Sequence, residues 1–75
     1  MLIYIDDNKT KETLRMVDSN YDFVPSVGDT ISFTDRNGRN ITATVEKRKF
    51  EVGVDMDDVP CFETAILFVD IDYVD

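Results

Sequence analysis

The chain contains no histidine and only one cysteine, Cys61. Without histidine, neither a Ser-His nor a Cys-His pair is available to activate a nucleophile, so we expect Cys61 to be an inert thiol. The same absence excludes a structural zinc site, whose four ligands are drawn mainly from cysteine and histidine. A lone cysteine forms no internal disulfide, which is typical of a reducing compartment, and we therefore expect a cytoplasmic protein.

Long apolar segments are missing as well. The longest uninterrupted apolar run covers residues 65–69, which is far too short to span a bilayer. The first residues carry neither a basic start nor a small-residue cleavage site, so we expect no signal peptide. The 75 residues suffice for a single domain, residues 1–75, and a hydrophobic share of 43% argues against disorder. A domain this small has no room for a deep catalytic cleft, and we expect neither enzymatic activity nor a cofactor.

Charge is unevenly distributed along the chain. Residues 1–49 hold all 8 basic residues and 8 acidic ones, whereas residues 50–75 hold the other 8 acidic residues and no basic residue. The net charge of −8 disfavours DNA, RNA and anionic membranes as direct partners. It favours a partner protein with a basic surface, or a solvated acidic face without a partner.

Alternation of apolar and polar residues predicts an all-β protein. Residues 10–17 also fit one or two turns of helix, but the turn residues before them favour a strand. Residues 35–39 contain Asn-Gly, the strongest short-range signal for a hairpin. Residues 19–25 are predicted to cross the end of the barrel with Tyr21 and Phe23 as plugs, and residues 53–63 are predicted to form a loop. The predicted strands are residues 2–5, 10–17, 30–34, 40–48 and 64–73.

In the second strand of the central hairpin, the apolar residues change from odd-numbered to even-numbered positions. Ile41, Ala43 and Val45 are odd-numbered, whereas Phe50 and the apolar residues after it are even-numbered. Because side chains alternate with a period of two, one residue must be absorbed between Val45 and Phe50, and a β-bulge does this. The basic run Lys47, Arg48, Lys49 lies at this bend. We expect it to mark a corner of the barrel, with ligand binding as the alternative.

The alternation also predicts the core. The last strand is apolar on both faces, which indicates that Ile66 and Phe68 are covered by the crossing segment or by a partner subunit. The residues expected in the core are Ile3, Ile5, Leu14, Met16, Phe23, Ile31, Phe33, Ile41, Val45, Phe50, Leu67 and Val69.

The acidic loop does not fit a calcium site. Counted from Asp55, an EF-hand loop needs an oxygen ligand at position 5, glycine at 6 and glutamate at 12, but the chain has valine, proline and isoleucine there. We therefore expect no metal.

A protein-binding surface is the stronger hypothesis for these acidic residues. Carboxylates at this density approach the phosphate spacing of nucleic acid, so we expect them to fit the basic groove of a nucleic-acid-binding protein. The residues expected to bind the partner are Asp55, Asp57, Asp58, Glu63, Asp70 and Asp72.

The stretch Val24-Pro-Ser-Val-Gly-Asp-Thr-Ile31, followed by the hairpin, resembles small SH3-like barrel proteins, many of them products of phages and mobile elements. The resemblance covers about residues 23–72 and implies a partly open, five-stranded barrel with a bulged central hairpin; it brings no catalytic residue. Since small acidic phage proteins include inhibitors of host defence, it also favours an inhibitory role.

Three functional hypotheses follow. The first is a non-enzymatic protein-binding module, an accessory protein of a phage or mobile element whose acidic surface engages or inhibits a basic, nucleic-acid-handling protein. The second is a structural or assembly protein that forms a homo-oligomer. The third is binding of a small anionic ligand or a nucleic acid at Lys47, Arg48 and Lys49.

Overall fold

A computed structural model describes residues 1–19 and 24–75. These residues form five strands and no helix: β1 (Leu2–Asp7), β2 (Thr13–Asp18), β3 (Thr30–Thr34), β4 (Asn40–Val54) and β5 (Pro60–Val74). The strands lie side by side in the order β2-β1-β5-β4-β3, with β1 and β5 parallel and the other neighbours antiparallel. The mixed sheet curls into a half-barrel, which confirms the all-β, five-stranded and partly open fold.

The two edges of the sheet meet at one end. The backbone N–H of Arg36 donates to the carbonyl of Leu14 at 3.1 Å. In return, the guanidinium of Arg15 on β2 donates to the carbonyl of Thr34 on β3 at 2.7 Å. These contacts bring β2 and β3 together and hold the sheet in its curved form. The strand β2, Thr13–Asp18, pairs antiparallel with β1, which confirms that the ambiguous segment at residues 10–17 contains a strand.

The predicted bulge lies where the phase changes. Val45 faces Val69 and Lys47 faces Phe68, so Glu46 is the extra residue. The predicted bulge between Val45 and Phe50 is therefore confirmed, but it lies in the pairing of β4 with β5, whereas the pairing of β3 with β4 in the central hairpin is regular. The pairing of β4 and β5 shifts twice more, at Glu63 and at Asp72. These additional bulges divide a hairpin of two 15-residue strands into segments that bend independently.

Nine apolar side chains inside the half-barrel form the core. Seven of the predicted core residues are buried, and Ile31 and Phe33 pack against them half-buried. Phe23 and Tyr21 lie outside the described residues. The buried set is Ile3, Ile5, Leu14, Ile41, Ala43, Val45, Ala65, Leu67 and Val69.

Two core predictions are wrong. Met16 is 54% exposed because the register of β2 shifts at Leu14, which places Met16 opposite Tyr4 on the outer face of the sheet. Phe50 is on the correct face but is 37% exposed. The strand β3 pairs only with residues 40–44 of β4, so Phe50 has a neighbouring strand on one side only.

The predicted loop at residues 53–63 is also wrong. Strand pairing continues to Val54 opposite Pro60, and only residues 55–59 form the turn. The proline that suggested a loop is Pro60, the first residue of β5, where proline is tolerated. The glycine, Gly53, lies inside β4 and pairs with Cys61. Since β1 pairs with β5 only from Thr64 onward, residues 51–63 form a two-stranded extension, here named the β-arm.

Asp35 organises the turn between β3 and β4. Its carboxylate is buried and accepts hydrogen bonds from the backbone N–H groups of Asn37 at 2.9 Å and Arg39 at 2.8 Å, and from Nε of Arg39 at 2.7 Å. Burial alone would raise the pKa of this carboxyl. The hydrogen bonds from Arg39 and Asn37, together with the charge of Arg39, outweigh burial and hold the pKa of Asp35 below its ordinary value of 3.8.

This shift predicts a pH-dependent stability. The folded pKa of Asp35 is lowered, so its stabilising contribution is complete above the unfolded value of 3.8 and is lost as the pH falls through the lower folded value. Asp35→Asn should therefore be less stable than the parent at neutral pH, and the difference should shrink in strong acid. Urea unfolding of both proteins between pH 7 and pH 2 measures this. A difference that stays constant over the whole range would contradict it.

Candidate protein-binding arm

The tip of the β-arm is an ordered turn headed by Asp55. Its carboxylate accepts hydrogen bonds from the backbone N–H groups of Asp57 at 2.8 Å and Val59 at 2.9 Å. The Asp35 turn shows the same pattern of backbone and carboxylate bonds, with Gly38 at φ 82° where Asp58 has φ 59°. Asp55, itself exposed, therefore holds its own turn in shape, and Asp57 and Asp58 are further exposed charges at the tip.

One side of the β-arm is apolar. Val52 faces Phe62 and Val54 faces Pro60 across the two strands, so their side chains emerge on the same side as that of Phe50 at the base. The rings of Phe50 and Phe62 meet edge to face with centroids 5.6 Å apart. Val52, Val54 and Phe62 are 61%, 58% and 57% exposed. We call Phe50, Val52, Val54, Pro60 and Phe62 the apolar side of the β-arm.

The opposite side of the β-arm is polar. It carries Glu51, Gly53, Cys61 and the bulged residue Glu63. The carboxyl group of Glu63 lies across Gly53, in the space that a Cβ atom at position 53 would occupy. This packing explains why β4 has a glycine at a position where an apolar or β-branched residue is expected in a strand.

The remaining predicted partner-binding acids lie far from the tip. Asp70 accepts a hydrogen bond from the Asn8 amide at 3.3 Å, and Asp72, the bulged residue, accepts one from the Thr44 hydroxyl at 2.8 Å. Asp70 lies ten positions after Pro60 on β5, a distance of about 33 Å along an extended strand. The six predicted acids thus form two groups, with Glu63 between them.

The basic run lies between these groups and contacts aromatic rings. Lys47 on β4 and Lys11 place their ammonium groups 5.7 Å and 5.1 Å from the centre of the Phe68 ring. Arg48 lies 5.4 Å from the centre of the Phe50 ring, on the apolar side of the β-arm. The outer face of β5 at Phe68 is therefore partly covered by lysine side chains.

The half-barrel also contains an apolar cavity of about 190 Å³. Its described lining includes Ile3, Ile5, Val17, Phe33 and Leu67, with no carboxylate, amine or thiol. Elsewhere in residues 1–19 and 24–75, no three acidic or cysteine side chains come together in a way that could hold a metal ion. Within the same described residues, no helix has the length and apolar character needed to cross a membrane.

Comparisons with protein-family models, with curated proteins and with solved structures found no match to this chain. The candidate site therefore rests on the geometry of the β-arm alone. Sequence reasoning included Asp55, Asp57, Asp58 and Glu63 but missed the apolar residues beside them. The sequence does contain a signal for the second turn. Asp35-Arg-Asn-Gly-Arg and Asp55-Met-Asp-Asp-Val both begin with an aspartate and have, at the fourth position, a residue type that tolerates positive φ, which indicates a second tight hairpin turn at residues 55–59.

Proposed function

We propose that the protein is a non-enzymatic binding module that holds another protein chain on the apolar side of the β-arm. The observation that carries this proposal is the combination of large exposed side chains on a thin, two-stranded element. A contiguous exposed apolar patch with a polar rim marks an interaction surface. A two-stranded ribbon is only marginally stable in water, so a partner that covers this side stabilises the β-arm as well as the complex.

The charges around the apolar side define the partner. Asp57 and Asp58 at the exposed tip attract a basic group, and they accelerate association with a partner that carries one beside an apolar strip. The second acidic group, at Asp70 and Asp72, is separated from the tip by the basic run. This separation favours a short contact with the β-arm over an extended groove that would engage all six acids.

The wider role we propose is that of a cytoplasmic accessory protein of a phage or mobile element, which inhibits or recruits its partner. The resemblance of residues 23–72 to SH3-like barrels and the net charge of −8 support this context. Direct binding of nucleic acid or of a small anion at the basic run is less favoured, since the net charge of −8 repels anionic ligands.

Affinity capture with three baits tests the proposed function. The baits are the parent protein, Val52→Lys in the β-arm and Val74→Lys, a matched change at an exposed valine at the other end of the long hairpin. A partner retained by the parent and by Val74→Lys, but lost with Val52→Lys, is the expected result. Equal retention by all three baits would mean that binding takes place elsewhere on the molecule.

A further inference from the structure

We infer that the chain occupying the β-arm is a second copy of this protein, in an antiparallel arm-to-arm dimer. The inference rests on the proposed function, because it identifies the partner of the same surface. The partner chemistry defined above is an apolar strip with a basic group at one end. The β-arm has this chemistry itself, with Arg48 over the Phe50 ring at its base and Asp57 and Asp58 at its tip.

The spacing of the charges makes the surface complementary to itself. Arg48 and Val54 are six residues apart, which corresponds to about 20 Å along a strand. If two β-arms pack antiparallel with their apolar sides together, Arg48 of each copy approaches the acidic tip of the other. Val52 and Phe62 then lie at the centre, on the two-fold axis, and both ends form the same contact, as a two-fold symmetric interface requires.

Other arrangements of two copies are electrostatically worse. A parallel pairing would place the acidic tips together and the basic bases together, and like charges in contact disfavour a binding interface. Pairing through the polar side of the β-arm would bury the carboxylates of Glu51 and Glu63 without partners. The antiparallel arrangement alone buries the apolar side and pairs opposite charges.

The expected dimer is weak. Each apolar side consists of five residues on a two-stranded ribbon, so the interface falls at or below the lower end of the 1,200–2,000 Å² that stable complexes typically bury. The protein should therefore exchange between monomer and dimer with concentration. The apparent mass should rise from 8.6 kDa toward twice that value in sedimentation equilibrium.

Charge reversal tests the geometry. Arg48→Glu places a negative charge against the acidic tip at both ends of the dimer, and Asp57→Lys/Asp58→Lys places positive charges against Arg48. Lysine is suitable at position 58, because Lys11 adopts nearly the same positive φ, 64° compared with 59°. Each variant should be monomeric when alone at concentrations where the parent dimerises. An equimolar mixture should dimerise again, since both contacts are then between opposite charges.

Three outcomes would overturn the inference: a parent that stays monomeric at millimolar concentration, variants that dimerise as well as the parent, or a mixture that remains monomeric although thermal unfolding shows both variants folded. A monomeric parent whose capture of a different protein still depends on Val52 would refute the dimer and leave the proposed function standing. Loss of both the dimer and the Val52-dependent capture would refute both.

Discussion

Replacing Leu67 with alanine should lower the free energy of unfolding by about 3 kcal/mol, the usual cost of a large-to-small change in a core. Leu67 is 1% exposed and lies in the central strand of the sheet, with β1 on one side and β4 on the other. A 75-residue domain has a total stability of about 4 to 11 kcal/mol, so this single change removes a large part of it. Urea unfolding followed by circular dichroism measures the loss.

Val74→Ala is the matched control on the same strand. Val74 is 44% exposed near the end of β5, and its truncation should change the free energy of unfolding by less than about 0.5 kcal/mol. If Leu67→Ala cost no more than Val74→Ala, the half-barrel would not be the structure that stabilises this chain.

Phe62→Ser separates binding from folding. Phe62 is 57% exposed, and its ring contacts that of Phe50 at the base of the β-arm, so its loss should cost about 1 kcal/mol of stability. Aromatic residues at the centre of an interface commonly contribute 2 kcal/mol or more to binding, which corresponds to a loss of affinity of about 30-fold. Isothermal titration with the captured partner, or sedimentation equilibrium for the dimer, measures this loss.

Tyr73→Ser provides the comparison for that change. Tyr73 is 58% exposed on the same strand but lies near its other end, away from the β-arm. We expect full binding by Tyr73→Ser. If Phe62→Ser bound as tightly as Tyr73→Ser, the apolar side of the β-arm would have no role in recognition.

The phase of the alternation predicted much of the fold. The shift between Val45 and Phe50 predicted a bulge in that interval, where the structure has it at Glu46, and Asn37-Gly38 predicted the central hairpin. The error at Met16 arose because the bulge at Leu14 leaves a sequence that still alternates as Leu14, Arg15, Met16. A bulge can be recognised in a sequence only when the apolar residues change from odd to even positions, or the reverse, across it.

The error at Phe50 has a different cause. Alternation predicts the face of a sheet on which a side chain lies, but it does not predict where the neighbouring strands end. Phe50 lies on the core face at a position that β3 does not reach, and Val52 and Val54 continue that face away from the half-barrel. The β-arm was missed because glycine, proline and four acidic residues between 53 and 63 suggested a loop.

The charge pattern predicted an acidic surface but not its division. Counting residues places Asp57, Asp58, Asp70 and Asp72 in one acidic third of the chain. The long hairpin separates the first pair from the second and aligns the basic run of β4 between them. In an extended strand, residues about ten positions apart in the sequence lie far apart in space, and composition alone does not reveal this separation.

Site-specific photocrosslinking tests the central claim, that the apolar side of the β-arm is the surface through which this protein binds another chain. A benzoylphenylalanine in place of Phe62 is compared in cells with one in place of Tyr73, which has nearly the same exposure. We predict a crosslinked product from position 62 and none from position 73. A product of twice the 8.6 kDa chain mass identifies a second copy, and any other mass identifies a different partner. No product from position 62, or equal products from both positions, would contradict the claim.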